Sequence, residues 1–190
     1  MKPMSVLIAA AALAASPALA ALKPGAAAPD FTLQASLGGK EFTFSLAEAL
    51  KKGPVVLYFY PAAFTKGCTV EAHNFAEATD SFAAMGATVI GVSNDKIDVL
   101  NKFSVSECRN KFAVAADGEK KVMKAYDAVL FGFLPMAERT SYVITPDNKV
   151  IYAYTAMDPN GHVDNTLAAV KEWRAAHPMP AEVPAPPAAN

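Results

Sequence analysis

Val55-Val56-Leu57-Tyr58-Phe59-Tyr60 is the feature that most limits what this chain can fold into. Six apolar or aromatic residues follow one another without a polar break, closed off by Gly53-Pro54 before and Pro61 after. A strand with one wet face alternates; a continuous run is buried on both faces, as at the centre of a parallel sheet covered by helices. The rest of the chain supplies such helices. Phe75, Ala78, Phe82 and Met85 recur at helical spacing, and Gly86 ends that pattern. Ala87–Val92 reads as a second buried strand, Lys96–Val105 as a helix, Phe112–Ala115 as a short strand and Glu119–Tyr126 as a short helix. Arg139–Ile144 and Lys149–Tyr154 read as two strands joined in a hairpin through Thr145-Pro146-Asp147-Asn148. Val163, Leu167, Val170 and Trp173 mark a last helix, and Phe75 and Trp173 are expected in the core. This order predicts an α/β fold, a central mixed sheet flanked by helices.

The two ends read differently. Lys2 with the terminal amine, the uncharged run Val6–Ala15 and the small residues of Ala18-Leu19-Ala20 describe a secretory signal over residues 1–20, cleaved after Ala20. The run is too short for a membrane anchor, and Pro17 interrupts it. The expected product is exported, to a bacterial periplasm by the style of the cleavage site, and does not engage a membrane after cleavage. Residues 21–176 make one domain, and residues 177–190, with five prolines and four alanines, read as a disordered tail. Charge excludes one large class of partner: 17 Lys+Arg against 18 Asp+Glu leave no basic excess for nucleic acid. Two cysteines and three histidines are too few for a zinc ribbon, but they allow one disulfide, or one nucleophile and its resolver.

The chemistry concentrates in Pro61-Ala62-Ala63-Phe64-Thr65-Lys66-Gly67-Cys68-Thr69-Val70-Glu71, between the central strand and the first long helix. The carboxyl ends of such strands are where α/β sheets build sites. Thr65 is a good N-cap, which places Cys68 in the first helical turn. There the unpaired amides and the helix dipole favour a thiolate, the nucleophilic form.

This stretch resembles the peroxiredoxin active-site pattern P-x-x-x-T-x-x-C, with C-x-x-E after it. Ala28-Pro29-Asp30-Phe31 is similar to the A-P-D-F segment of that family, and Arg139-Thr140-Ser141-Tyr142-Val143-Ile144 to its arginine-led strand. The likeness runs from about Lys23 to about Ala176, and is nearest the bacterioferritin-comigratory-protein or PrxQ type. It implies a thioredoxin-like fold and a thiol-dependent peroxidase acting on hydrogen peroxide and organic hydroperoxides, with no metal or organic cofactor. By this resemblance Cys68 is the peroxidatic cysteine, which becomes a sulfenic acid. Thr65 hydrogen-bonds the sulfur and the peroxide, Arg139 stabilises the thiolate and the leaving oxygen, Pro61 shields the site, and Glu71 orients the arginine. The implied reductant is thioredoxin-like, and the expected assembly is a monomer or homodimer.

Many relatives of this type carry a second cysteine five residues after the first, where this chain has His73. The other cysteine here is Cys108, forty residues on. The resemblance implies an intramolecular Cys68–Cys108 disulfide as the resolving step, against a one-cysteine cycle; a plain buried thiol or a static bridge are the other readings of Cys108. Arg109 stands beside Cys108 as a rival cation to Arg139, without a motif. His162 reads as structural, and uncharged Val129–Met136 as either a cover or dimer contact, or ordinary core. Two further functions stay open: a thiol–disulfide oxidoreductase, which wants C-x-x-C but meets Glu71 at the second position, and a binding domain with a structural disulfide.

Overall fold

Strand β3 (Val55–Phe59) lies between β4 (Thr88–Ser93), which runs parallel to it, and β6 (Thr140–Thr145), which runs antiparallel. The computed structural model to which it belongs describes residues 21–179; the expected signal segment 1–20 and residues 180–190 of the expected tail lie outside them. The remaining strands are β1 (Thr32–Leu37), β2 (Lys40–Ser45), β5 (Ala113–Ala116) and β7 (Lys149–Thr155). Together they form one seven-stranded mixed sheet in the order β2-β1-β5-β4-β3-β6-β7.

The continuous apolar run of β3 feeds two cores at once, because successive side chains of a strand point to opposite faces. Val55, Leu57 and Phe59 pack on one face with α1 (Leu46–Leu50) and α4 (Lys121–Ala125). Val56, Tyr58 and Tyr60 pack on the other with α2 (Lys66–Ala84), α3 (Ile97–Ser106) and α5 (His162–Ala176). All five β3 side chains are essentially fully buried, and each such burial contributes about 1.5–3 kcal/mol. Helix α2 presents Ala72, Phe75, Ala76 and Phe82 to that second core and ends as the sequence predicts. Gly86 is left-handed, with its N–H donating to Ala83 O and the Ala87 N–H to Phe82 O.

The elements expected from Val55 onward are present, with ends shifted by a residue or two. Three that precede them were not predicted: β1, β2 and α1. The β1–β2 hairpin buries little, chiefly Ala35, Ser36 and Phe44, so its apolar alternation is weak. Its local signal is Gly38-Gly39, two left-handed residues between Leu37 and Lys40, as a two-residue hairpin turn demands. Trp173 is a correction. It continues the α5 stripe but is only half-buried, its ring covered by Arg174 and stacked on His177 instead of packed in the core. Val129–Met136 is not ordinary core either. Leu130 is buried, while Phe131 and Phe133 are 69% and 78% exposed around a single 3-10 turn, Leu130–Gly132. His177, read from sequence as the start of the tail, still closes α5 by donating its N–H to Trp173 O.

One glycine is fixed by this packing. Gly91 lies directly across from Tyr58, and a Cβ there would sit 2.7 Å from the phenol ring. The ring has no retreat, since Phe75 stacks on it at 4.4 Å. Gly91→Ala is therefore expected to cost about 1–3 kcal/mol in denaturant unfolding; a wild-type midpoint would show that the ring has room to move.

Candidate active site

The site forms where β3 runs out and α2 begins. Thr65 keeps an extended backbone, helix α2 starts at Lys66, and the Thr69 N–H makes the first helical bond to Thr65 O at 2.9 Å. Cys68 is thus the third helical residue, as the sequence predicts, and is only 1% exposed. The Thr65 side chain does not cap the helix. Its hydroxyl donates to Ala62 O at 3.0 Å, which leaves Thr65 Oγ1 as an acceptor toward anything else in the site. Pro61 is half-buried at the head of this loop. Asp95 pins the loop from β4: its Oδ2 accepts the Ala63 N–H at 2.7 Å and the Ser93 hydroxyl at 2.8 Å. Between them Phe64 is held left-handed at φ 63°, its half-exposed ring edge-on to Phe103.

Arg139 enters from the residue just before β6, the strand beside β3, and is 3% exposed. All three guanidinium nitrogens are used. Nη2 donates to Cys68 Sγ at 3.5 Å, Nη1 donates to Glu71 Oε2, and Nε donates to Met157 O at 3.1 Å. Glu71 lies one turn beyond Cys68 on the same helix face, so both reach one guanidinium. Glu71 is fully buried, and burial pushes its carboxyl up to about 8, with the Arg139 charge and hydrogen bond pulling against that rise. Burial also opposes the charge on Arg139, but Glu71 and Cys68 outweigh it and hold Arg139 above its ordinary value. The fork geometry of arginine permits this arrangement; the single point charge of lysine does not.

The fold therefore brings together Cys68, Glu71 and Arg139, with the Pro61–Thr65 loop leading into them. It does not bring Arg109, which pairs with Glu77 at the surface at 3.1 Å. Cys108, just past α3, lies fully buried in the same apolar cluster as Cys68, and both are free thiols. Burial, with Glu107 adding to it, pushes the Cys108 thiol well up, so at rest it is not a nucleophile. His73 pairs with Glu107, the neighbour of Cys108, at 2.9 Å.

Sequence reasoning missed three contributors. Gly67 is one: a Cβ there would lie 2.9 Å from Arg139 Nη2, so only glycine leaves the guanidinium its place beside the sulfur. Its signal was a glycine in the first turn of a helix, where it has no conformational use. Asp95 gave none, because its role appears only when β4 lies beside β3. His162 was read as structural, yet it is fully buried with its Nδ1 3.6 Å from Glu71 Oε1.

A sheet of this topology, with an arginine clamped on a cysteine at the start of the helix after its central strand, defines the peroxiredoxin class of thioredoxin-like proteins. The chain belongs to the AhpC/TSA family, which it matches over residues 24–153. A putative peroxiredoxin of Mycobacterium tuberculosis is 33% identical over 156 residues, covering 80% of this chain and 99% of its own. Peroxiredoxin Bcp of Xanthomonas campestris is 31% identical over 149 residues, covering 76% and 91%. Among solved structures, peroxidoxin BcpB from Mycobacterium tuberculosis superposes with a TM-score of 0.72 at 32% identity, covering 80% of this chain and 97% of that one.

Gly67→Ala tests the clamp without touching a charged group. The added methyl displaces the guanidinium, and a misplacement of about 1 Å in such a site costs on the order of 100-fold in rate. Oxidation of Cys68 by hydrogen peroxide is expected to slow by about 10- to 100-fold in a variant that still folds. A wild-type rate would show that Arg139 does not need this space.

Proposed function

We propose that the protein is a thiol-dependent peroxidase that reduces hydrogen peroxide and organic hydroperoxides at Cys68. The observation that carries this reading is the Arg139 guanidinium donating to the Cys68 sulfur and to Glu71 at once. That geometry keeps a positive charge on the sulfur and close to where an O–O bond would break, in a pocket with little water to screen it. The Cys68 thiolate attacks the nearer peroxide oxygen, the O–O bond breaks, and the other oxygen leaves as water or an alcohol after taking a proton. Cys68 is then a sulfenic acid. Thr65 accepts a hydrogen bond from the peroxide, Pro61 limits water, and Glu71 keeps the arginine in register.

The Cys108 thiol then condenses with the sulfenic acid, forming an S–S bond and releasing water. Both sulfurs are buried, at 1% and 0% exposure, and a disulfide requires Cα atoms about 5.5 Å apart. Local opening of the first turn of α2 and the end of α3 would free the two buried sulfurs for this step. A thioredoxin-like dithiol returns two electrons and two protons, becoming a disulfide itself. Met1–Ala20 supports export to a bacterial periplasm, so the donor acts there, on a monomer or homodimer. The oxidoreductase alternative gains no support: the residue three after Cys68 is Glu71, buried against Arg139 and not a second thiol.

Cys68→Ser is expected to abolish peroxide reduction, measured as peroxide consumption with dithiothreitol as reductant. Non-reducing mass spectrometry of the reduced wild type after one equivalent of hydrogen peroxide is expected to show an internal Cys68–Cys108 bridge. A sulfenic acid or external adduct at Cys68 without that bridge would remove Cys108 from the cycle, and activity in Cys68→Ser would remove Cys68.

A further inference from the structure

His162 is a buried titratable group beside the active-site network that has no part in the chemistry above. It opens α5, is fully buried, and both ring nitrogens are engaged. Nε2 lies 2.9 Å from Ala156 O. A carbonyl only accepts, so Nε2 carries the hydrogen and Nδ1 is the nitrogen free to gain or share a proton. Nδ1 lies 2.8 Å from the Ser141 hydroxyl and 3.6 Å from Glu71 Oε1. That Glu71 oxygen is buried and has no hydrogen-bond partner of its own. An unsatisfied carboxylate oxygen in the interior is costly, and a titratable nitrogen stands directly beside it.

With Cys68 as a thiolate and Glu71 ionised, two buried negative charges face the single positive charge of Arg139. An unmatched charge in such a pocket is strongly disfavoured, and one more proton removes it. We propose that His162 is a positioning residue for Cys68: His162 Nδ1 and Glu71 Oε1 hold one proton between them, and that proton balances the Cys68 thiolate across Arg139. With the proton in place Glu71 no longer claims the full charge of the guanidinium, and Nη2 stays directed at the sulfur. Without it, a bare Glu71 carboxylate competes with the sulfur for Arg139.

The other groups facing the imidazole fit this role. Glu71 faces it from α2, and Arg139 and Ser141 from β6 and the residue before it. The Tyr154 ring of β7 meets it edge-on at 4.8 Å, and Asp158 lies in the segment after β7. On its own helix, Asp164 is exposed in the first turn, and the Thr166 hydroxyl donates to the His162 carbonyl at 2.7 Å. Burial, with Arg139 adding to it, holds His162 below its ordinary value while Ala156 and Asp158 oppose this; burial raises Glu71. Both directions leave one proton, not two, in the pair.

The proposal rests on Cys68 as the peroxidatic residue, and its test reads His162 separately. In the whole reduced protein, with histidine nitrogens labelled with 15N, the His162 resonances are followed against pH in wild type and in Cys68→Ser. The His162 ring is expected to titrate together with the Cys68 thiol in wild type, and that step is expected to vanish in Cys68→Ser. In His162→Gln, which keeps a neutral donor but cannot share the proton, the acid limb of the pH–rate profile for peroxide is expected to move up by about one unit. The rate below it is then expected to fall about tenfold. Identical ring titrations in wild type and Cys68→Ser would overturn the proposal, as would a folded His162→Gln with the wild-type pH profile. If His162→Gln does not fold, the wild-type and Cys68→Ser titrations decide alone. A wild type inert to peroxide sinks the peroxidase reading instead and leaves the ring titration legible.

Discussion

A buried guanidinium is the constraint around which the rest of this molecule is arranged. Arg139 is 3% exposed, and a charge so placed is strongly destabilising unless it is paired and hydrogen-bonded. Here Glu71 takes one nitrogen, the Met157 carbonyl a second, and the Cys68 sulfur the third. The first two acceptors fix the position of the third. Removing either would leave a buried guanidinium N–H without an acceptor, so folding and the geometry at the sulfur share the same contacts.

The sheet makes those contacts possible. Because β6 lies antiparallel beside β3, the residue that precedes β6 arrives beside the end of β3, where α2 starts. Arg139 therefore approaches the first turn of α2 from the neighbouring strand, and Cys68 and Glu71, one turn apart, meet it on one face. Gly67 leaves room for the guanidinium, Asp95 holds the preceding loop, and α5 closes the rear with His162. The two cysteines differ in consequence. Cys68 has a cation on its sulfur, whereas Cys108, in the same cluster, has burial and Glu107 against its ionisation.

Most of the central fold was legible because its signals are local and strong. The Val55–Tyr60 run, the Phe75–Met85 stripe and the stop at Gly86 each state their structure within a few residues. The β1–β2 hairpin was not legible, since a half-exposed edge buries too little to pattern its sequence, although Gly38-Gly39 marked its turn. Trp173 misled because helical spacing reports which side of a helix is apolar and not what covers it. At the site, the motif around Cys68 and the arginine-led strand named Cys68, Thr65, Glu71 and Arg139. Residues that act through space stayed hidden: Gly67 by the atom it lacks, Asp95 by a loop 32 residues away in sequence, and His162 by the unpartnered oxygen it faces.

The most direct measurement is the second-order rate of Cys68 oxidation by hydrogen peroxide in Arg139→Lys, by stopped flow on fully reduced protein. Lysine keeps the positive charge but cannot serve sulfur and carboxylate together. If the bidentate clamp is what makes Cys68 reactive, the rate falls about 100- to 1000-fold in a variant that still folds. A rate equal to wild type would mean that charge alone suffices, and that the geometry joining Cys68, Arg139 and Glu71 is not the source of the reactivity.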